Sequence, residues 1–300
     1  MIKYAYYPGC SLESTNKAYD ISFRAIMYHL GIAMKDIDDW NCCGATAYIS
    51  LSENMAFTVS ARNLAIAEKS GATDVIAPCA ACYLTLRKAH EYMMEYPEIY
   101  AQVNSALNKI GLSYEGTIKV KSPLEVIIDD VGLDKVRIAV TNPLKGLKVA
   151  CYYGCQLVRP RHVFDDPEEP VKFEELMKTI GADPVYFPFR VRCCGSSTIL
   201  TYEQQALRMS KNVLLSAKRE GADIIATACP LCQINLDAYQ RRIEKEFKIK
   251  LNMPVVFFSQ LVGLALNYKY KEMALDKSIV SPKKVLEPYL HSQEEVKEGK

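Results

Sequence analysis

Short apolar runs alternate along the chain with longer segments in which apolar residues recur every three or four positions. The runs "IKYAYY", "TDVIAP", "LKVACYY" and "ADIIAT" are rich in β-forming residues, and each ends just before a cysteine motif. The segments "SENMAFTVSARNLAIAEKSG" and "TYEQQALRMSKNVLLSAKREG" have helical periodicity and end at Gly71 and Gly221, which we interpret as helix stops. This order of strand, helix and strand predicts an α/β fold with parallel sheets and crossover helices.

The cysteines repeat one pattern in two halves of the chain. The first half reads C-x31-C-C-x35-C-x2-C and the second reads C-x37-C-C-x34-C-x2-C, with matching flanks such as "KSGATDVIAPC" and "REGADIIATAC". The ten cysteines are Cys10, Cys42, Cys43, Cys79 and Cys82, followed by Cys155, Cys193, Cys194, Cys229 and Cys232. A repeat of this kind predicts a duplicated unit. Because α/β folds place their sites beyond the carboxyl ends of strands, the five cysteines of each half should converge on one crevice.

The repeat also suggests where the domains begin and end. We predict a first domain over residues 1–145 and a second over 146–282, both Rossmann-like βα units with parallel sheets. The remaining residues, 283–300, read "KKVLEPYLHSQEEVKEGK" and are expected to form a charged extension on the surface.

Composition narrows the classes of function. A chain of 300 residues with 49% hydrophobic content can bury a substantial core. The opening "MIKYAYYPGC" does not resemble a secretory signal and no apolar run is long enough to cross a bilayer, so we expect a cytoplasmic protein without membrane insertion. A net charge of +2 argues against a nucleic-acid partner. Eleven cysteines in such a chain favour metal or redox chemistry over a disulfide framework.

Five convergent thiolates suit a multi-iron cluster better than a single zinc ion. Tetrahedral zinc needs four ligands and is usually held by two C-x-x-C knuckles. Adjacent residues such as Cys42 and Cys43 point in different directions, which suits ligands of two different irons. Zinc in one half stays open as the alternative. We expect Cys151 to be a core thiol within a strand, and His29 and His90 to lie on helix faces.

The duplicated cysteine pattern resembles the cysteine-rich CCG domain. Two such domains without a ferredoxin run resemble the B-type subunit of heterodisulfide reductase from methanogens over nearly the whole chain. The 34 residues between pair and C-x-x-C in the second half are one fewer than the 35–36 usual for the family. The resemblance implies two noncubane 4Fe-4S clusters, each held by the five motif cysteines of one half, in two domains that face each other across a cluster-binding crevice. It also implies that six of these ligands act at the substrate crevice as catalytic residues: Cys10, Cys42, Cys43, Cys155, Cys193 and Cys194.

The same resemblance implies a reaction and its partners. The substrate would be CoM-S-S-CoB, the mixed disulfide of coenzyme M and coenzyme B, reduced to two thiols with one sulfur facing each cluster. Two one-electron clusters match the two electrons that a disulfide requires. The electrons would come through a ferredoxin-like C-type subunit from a flavin-containing A-type subunit, in a bifurcating assembly with a hydrogenase or formate dehydrogenase.

A substrate carrying sulfonate, phosphate and carboxylate groups needs cationic residues near the clusters. The second half supplies them in "CQLVRPRH" and "FRVRCCG", whereas the matching first-half stretches "CSLESTNK" and "DDWNCCG" do not. We therefore predict substrate contacts from Arg159, Arg161, His162, Arg190 and Arg192. His162 is also a candidate proton donor to a departing thiolate.

Two other classes of function stay open. Similar double domains serve as the terminal module of lactate, glycolate or glycerol-phosphate oxidising systems, where they pass electrons to a quinone or to another disulfide. A metal-dependent scaffold that only assembles redox partners is the non-catalytic alternative.

Overall fold

The fold consists of two four-stranded sheets, each entirely parallel, in a computed structural model that describes residues 3–45, 48–159 and 164–290. The first sheet has the order β2-β1-β3-β4 and the second has the order β6-β5-β7-β8. The first comprises β1 (Tyr4–Tyr6), β2 (Met34–Asp36), β3 (Asp74–Ile76) and β4 (Lys119–Lys121). The second comprises β5 (Lys148–Tyr152), β6 (Asp183–Val185), β7 (Ile224–Thr227) and β8 (Val255–Phe257). The predicted duplicated α/β fold is confirmed.

Helices connect the strands of each sheet as crossovers. The first half contains α1 (Gly9–Glu13), α2 (Lys17–His29), α3 (Glu53–Lys69), α4 (Ala80–Glu95), α5 (Pro97–Asn108), α6 (Pro123–Glu125) and α7 (Leu133–Ala139), with a π-helical segment Val126–Gly132 between the last two. The second half contains α8 (Lys172–Thr179), α9 (Glu203–Arg219), α10 (Pro230–Ala238), α11 (Gln240–Phe247) and α12 (Phe258–Ala265), and α13 (Lys283–Leu286) follows. Of the described helices, none combines the length and apolar character that a bilayer crossing requires.

The two predicted long helices end where the sequence indicates. Helix α3 stops at Lys69 and α9 at Arg219, and the glycines that follow, Gly71 and Gly221, have φ angles of +80° and +81°. Glycine adopts this left-handed conformation without a steric penalty, which is why it ends helices so often. The chain then turns directly into β3 and β7, the strands that precede the two C-x-x-C motifs.

Strand order places a topological switch point at the centre of each sheet. The chain leaves β1 for the outer strand β2 and then crosses back to β3 on the other side of β1, and β5, β6 and β7 repeat this path. At such a point the loops beyond the carboxyl ends of the two central strands diverge and leave a crevice. Both crevices receive cysteines.

The two halves share one buried apolar core, and α2 packs against the second half to form the contact. The ring of Tyr19 stacks on Phe257 with centroids 4.3 Å apart and an interplanar angle of 5°. Phe258 meets Tyr19 edge to face at 6.1 Å, and the hydroxyls of Ser22 and Ser259 share a hydrogen bond of 2.7 Å. These groups are all buried, so the contact between the halves is part of the protein interior.

The chain after residue 283 packs back on the segment between the halves. Leu286 is buried, and the Tyr289 hydroxyl donates to the carbonyl of Lys145 at 3.0 Å. Asn142 donates from its side chain to the Tyr289 carbonyl at 3.0 Å. Residues 291–300 of the predicted extension lie outside the described residues, and the domain boundaries stay a prediction.

Replacing Phe258 with alanine should weaken the contact between the halves. The ring is fully buried between Tyr19 and Phe173, so Phe258→Ala should lower the free energy of unfolding by about 3–5 kcal/mol. Chemical denaturation followed by circular dichroism measures the change. Ile138→Ala is the control, because that side chain is 85% exposed and its loss should change stability by less than about 0.5 kcal/mol.

Candidate cluster-binding site

Each cysteine group lies beyond the carboxyl end of a strand. In the first half, Cys10 sits in α1 directly after β1, the pair Cys42 and Cys43 follows β2, and Cys79 is the N-cap of α4 with Cys82 in its first turn. The second half repeats this arrangement after β5, β6 and β7, with Cys155, Cys193, Cys194, Cys229 and Cys232. The thiols of each half therefore gather at its switch point.

One contact between two cysteine sulfurs recurs at equivalent positions in the two halves. The Sγ atoms of Cys43 and Cys82 are 3.2 Å apart, and those of Cys194 and Cys232 are 3.5 Å apart. All eleven cysteines are free thiols. A contact between the second cysteine of the adjacent pair and the second cysteine of C-x-x-C is thus a property of the repeated unit.

Glycines next to the cysteines let the backbone approach sulfur. The N–H of Gly44 donates to Cys42 Sγ at 3.5 Å, and the N–H of Gly195 donates to Cys193 Sγ at 3.3 Å. Gly195 has a φ angle of +86°, and a Cβ atom added there would stand 2.8 Å from the Cα atom of Ala206. The loop can hold its two sulfurs in place only with glycine at this position.

Side chains with equivalent positions support both cysteine pairs. Ser60 donates to the Cys43 carbonyl and Ser210 to the Cys194 carbonyl, each at 2.8 Å. These hydrogen bonds fix the backbone of the second cysteine in each pair, so the sulfur contacts do not depend on loop residues alone.

A buried tyrosine lies beside the cysteines of each half. Tyr7 donates to the Asn41 carbonyl at 2.8 Å and Tyr152 to the Arg192 carbonyl at 2.7 Å. Burial raises the pKa of both hydroxyls, and the neighbouring cysteines raise it further. Both tyrosines therefore stay protonated at neutral pH and brace the loops that carry the cysteine pairs.

In each half, some of the five motif cysteines are accessible to solvent and the others are buried. Cys10 and Cys42 are exposed and Cys155 and Cys193 are half-buried, whereas the other motif cysteines are buried. Each group thus has a closed side toward the sheet and an open side toward solvent. Cys151 lies within β5 and is fully buried, and burial raises its pKa, which confirms it as a core thiol.

Hydrogen bonds between thiols lower the pKa of one cysteine in each adjacent pair and raise that of the other, Cys42 in the first half and Cys194 in the second. Contacts with Cys42 and Cys82 lower the pKa of Cys43 to about 4, and contacts with Cys155 and Cys194 lower that of Cys193 to about 2. The N-terminus of α4 at Cys79 and that of α10 at Cys229 add a partial positive charge. Thiolate is the form that binds metal.

The two groups of thiols meet at the contact between the halves. Cys79 of the first half and Cys229 of the second are both buried and lie close enough to affect each other: Cys229 raises the pKa of Cys79, and Cys232 together with Cys79 lowers that of Cys229. Because the two sites adjoin, electrons could pass from one to the other without leaving the protein interior. Sequence spacing alone does not reveal this junction.

A cavity of about 300 Å³ lies between the halves next to the thiol groups. Residues that follow Cys43 and Cys155 form two of its walls, and α4 forms the third. Among the described residues, three cationic side chains and one acidic side chain line it: Arg87, Lys88, Arg159 and Glu91. Apolar side chains also line it, among them Ala45, Ile49, Leu84 and Leu157.

The residues predicted to contact the substrate do not all lie at the cavity. Arg159 lines the cavity, while its guanidinium donates to the Pro167 carbonyl and pairs with Glu168 at 2.8 Å. Arg161 and His162 lie outside the described residues. Arg190 is buried, pairs with Glu169, and lies outside the cavity lining, as does the exposed Arg192. Substrate roles for these residues stay predictions.

Sequence reasoning missed Arg87 and Lys88 because they belong to no motif. They lie on α4, in "CYLTLRKAH", one to two turns after Cys82, where they look like ordinary surface cations. Arg87 donates to the Tyr83 hydroxyl at 2.8 Å and pairs with Glu91 at 2.6 Å. Their position on a helix that begins at C-x-x-C is the signal that could have identified them.

The donor set fits an iron–sulfur centre. Thiolate sulfurs supported by backbone N–H groups and helix N-termini are the surroundings that stabilise such clusters. In residues 3–45, 48–159 and 164–290, no group of three or more His, Cys, Asp or Glu side chains stands at the spacing for binding a metal ion. The fit therefore rests on the paired sulfur contacts and their surroundings.

Comparison with known proteins supports the duplication. Residues 4–87 and 149–237 each match the CCG cysteine-rich domain. The 8-methylmenaquinol:fumarate reductase membrane anchor subunit of Wolinella succinogenes is 35% identical over 94% of this chain and 99% of its own length. A protein of Archaeoglobus profundus, named as similar to the B-type subunit of heterodisulfide reductase, is 32% identical over 91% of this chain and 94% of its own length.

Two further matches extend the comparison. The B-type subunit of the ferredoxin/F420H2-dependent CoB-CoM heterodisulfide reductase of Methanosarcina acetivorans is 29% identical over 93% of this chain and 94% of its own length. A solved structure of a hypothetical protein from Helicobacter pylori superimposes with a TM-score of 0.75 at 18% identity and covers 93% of this chain. This chain spans 52% of that protein, and the likeness shows the fold alone.

Adding a methyl group at Gly195 should displace the second cysteine pair. Gly195→Ala should lower iron content by about half, because one of the two sites loses its sulfur geometry. Gly221→Ala is the matched control: its φ of +81° imposes similar backbone strain, but its added Cβ has no atom within 4 Å. Iron per folded chain measures the difference, and equal iron content in the two variants would contradict this role of Gly195.

Proposed function

Because this chain belongs to the CCG cysteine-rich domain family and carries the domain twice, we propose that it is the catalytic subunit that reduces CoM-S-S-CoB to two thiols. One observation carries the proposal. The two sets of five motif cysteines have the same arrangement and lie next to each other. Beside them, between the halves, is the cavity lined by Arg87, Lys88 and Arg159. The homologues named as B-type subunits of heterodisulfide reductase support an oxidoreductase that works within a larger complex.

The ten motif cysteines would hold two noncubane 4Fe-4S clusters. When bound, such clusters supply one electron each and offer iron sites that accept thiolate sulfur. The protein contributes the sulfur ligands, the backbone N–H groups beside them and the buried tyrosines that limit water. The exposed or half-buried cysteines mark the side from which a substrate sulfur would approach: Cys10, Cys42, Cys155 and Cys193.

The cavity offers the charges that this substrate requires. The cations Arg87, Lys88 and Arg159 come from both halves, and they suit a sulfonate at one end of the substrate and a phosphate at the other. Reduction of the disulfide consumes two electrons and two protons and yields two thiols. Because the cations lie on opposite sides of the junction, they would hold both parts of the substrate until both thiols form.

Electrons would arrive from other proteins of the complex. We place a ferredoxin-like C-type subunit next to this chain and a flavin-containing A-type subunit beyond it, with a hydrogenase or formate dehydrogenase upstream, in the cytoplasm. The names of two Methanosarcina relatives give ferredoxin, or ferredoxin and F420H2, as electron donors to their complexes, which supports electron delivery by other proteins.

The Wolinella relative favours a second candidate function. A chain 35% identical to one component of an 8-methylmenaquinol:fumarate reductase could pass electrons from a quinol to a partner enzyme, without reducing a disulfide itself. The two functions differ in one measurable property. A disulfide reductase must bind the product thiol at its metal centre, whereas a relay protein need not.

The deciding experiment measures iron, acid-labile sulfide and zinc on anaerobically purified protein, with electron paramagnetic resonance before and after coenzyme M thiol is added. We expect about eight irons, about eight sulfides and a thiol-sensitive signal. Two clusters without thiol sensitivity, together with reduction by a menaquinol analogue, would favour the relay function instead. About four irons and one zinc would contradict the assignment of two clusters.

Cys193→Ala tests the role of the second cysteine pair in the same experiment. The variant should lose the second centre and CoM-S-S-CoB turnover while the first centre remains measurable. Cys151→Ala is the matched control, since it removes a core thiol in the same half. Full turnover in Cys193→Ala would refute the proposed site.

Arg87→Gln tests the cavity. Loss of a charged hydrogen bond to the substrate should raise KM for CoM-S-S-CoB about tenfold or more, because such bonds contribute about 1.5–3 kcal/mol. With the uncharged bis(2-hydroxyethyl) disulfide, the variant and the parent should have the same KM. Arg137→Gln is the control, as that side chain is 60% exposed and its ion pair is with Asp134, three residues before it in the chain. An unchanged KM for the charged substrate would exclude Arg87 from binding.

A further inference from the structure

Asn235 is a buried residue of α10 that bonds directly to the second cysteine pair. Its side-chain amide donates to the Cys194 carbonyl at 2.9 Å and to the Ser210 hydroxyl oxygen at 2.8 Å. Ser210 itself donates to the same Cys194 carbonyl at 2.8 Å. The three groups form a closed network of hydrogen bonds, and because Asn235 is only 1% exposed, the network is shielded from water.

The network joins two segments that carry motif cysteines. Asn235 lies three residues after Cys232, in the helix that begins at the C-x-x-C motif, whereas Cys194 belongs to the adjacent pair. The sulfurs of Cys194 and Cys232 are 3.5 Å apart. Asn235 therefore holds these two cysteines close to each other through the backbone, without relying on a bond between their sulfurs.

The first half has no such link among its described hydrogen bonds. The stretch "CQIN" aligns with "CYLT", which puts Thr85 at the position that corresponds to Asn235. Thr85 donates within its own helix, to the Ala81 carbonyl at 2.8 Å. The Cys43 carbonyl accepts from Ser60, which lies on α3. The first pair is therefore joined to α3, but no described side chain joins it to the C-x-x-C helix α4.

One atom of the Asn235 side chain is left without a partner. Its Oδ1 atom is buried and accepts no hydrogen bond within residues 3–45, 48–159 and 164–290. The Cys194 carbonyl and the Ser210 oxygen both require the NH2 group, so the amide cannot turn over to satisfy its oxygen. A buried acceptor without a partner destabilises a fold. Threonine would leave no such atom, as Thr85 shows, so this asparagine favours the link to Cys194 over the stability of its helix.

We propose that Asn235 is a positioning residue which keeps Cys194 and Cys232 together and thereby slows the loss of metal from the second site. The proposal rests on the proposed function only in requiring that the motif cysteines hold metal. A metal leaves when its ligands move apart, and removing a group that orients a ligand lowers metal affinity about 10–100-fold. Because Thr85 makes no equivalent contact, the effect of Asn235 should be confined to the second half.

Asn235→Thr tests the proposal on the metal-loaded protein, because it gives the second half the residue of the first. In a chelator assay, iron release from the second centre should become about tenfold faster, while release from the first centre stays the same. Electron paramagnetic resonance follows the two centres, and Cys193→Ala identifies the signal of each. The signal of the second centre should also change shape, since Cys194 is no longer held. Unchanged release from the second centre would overturn the proposal.

Asn104→Thr is the matched control. Asn104 is also a buried asparagine, but its amide donates to the Tyr114 carbonyl at 3.1 Å and accepts from the Tyr114 N–H at 2.9 Å, so its bonds go to no cysteine. The same substitution at this position should leave both release rates unchanged. Equal acceleration in Asn104→Thr and Asn235→Thr would overturn the proposal, because it would indicate a general loss of stability.

Thr85→Asn gives a test in the opposite direction. Ser60 and the Cys43 carbonyl already have the 2.8 Å contact that Ser210 and the Cys194 carbonyl have, so asparagine at position 85 should complete the same network. Iron release from the first centre should become slower, and this test remains valid if Asn235→Thr binds less iron. Unchanged or faster release would overturn the proposal.

The chelator assay is independent of the proposed reaction. It needs no disulfide substrate, so its outcome does not depend on whether CoM-S-S-CoB turnover is found. If a site holds zinc instead of iron, zinc release measures the same property. Faster release in Asn235→Thr together with absent turnover would therefore support the role of Asn235 while contradicting the proposed function.

Discussion

The packing of α2 against the second half is the constraint on which the rest of the site depends. The flat stack of Tyr19 on Phe257 and the hydrogen bond between Ser22 and Ser259 hold two sheets in one arrangement. That arrangement buries Cys79 against Cys229 and leaves a cavity between the halves. Each half alone would present its five thiols at an open sheet edge. Only their association produces two adjoining sites with a shared cavity.

The duplication conserves the parts that hold sulfur and varies the parts around them. Glycine N–H groups, serine hydroxyls and braced tyrosines recur in both halves because any buried thiolate group of this kind needs the same backbone support. The surroundings differ at corresponding positions. Lys121 at the end of β4 pairs with Asp130, whereas Phe257 at the end of β8 supports Tyr19. Such differences allow two similar centres to have different potentials.

The two named chemistries among the relatives share a physical requirement. Disulfide reduction and quinol oxidation both exchange two electrons, and two adjoining one-electron centres can serve either. The residues that distinguish disulfide reduction from quinol oxidation should therefore lie in the cavity and at the exposed or half-buried cysteines, rather than among the buried cysteines. The cavity wall carries three cations among its described residues, each paired with a glutamate, and an anionic substrate would have to compete with those partners.

The sequence by itself determined the duplicated fold, the two helix ends at Gly71 and Gly221, and the grouping of ten cysteines at strand ends. These follow from local periodicity and covalent spacing, which act over a few residues or within one βα unit. The tertiary structure decided that Arg87 and Lys88 line the cavity, that Arg190 pairs with Glu169, and that Tyr19 stacks on Phe257 of the other half. These depend on how helices from separate halves pack, and Ser22 and Ser259, which are 237 residues apart, leave no local signature of their contact.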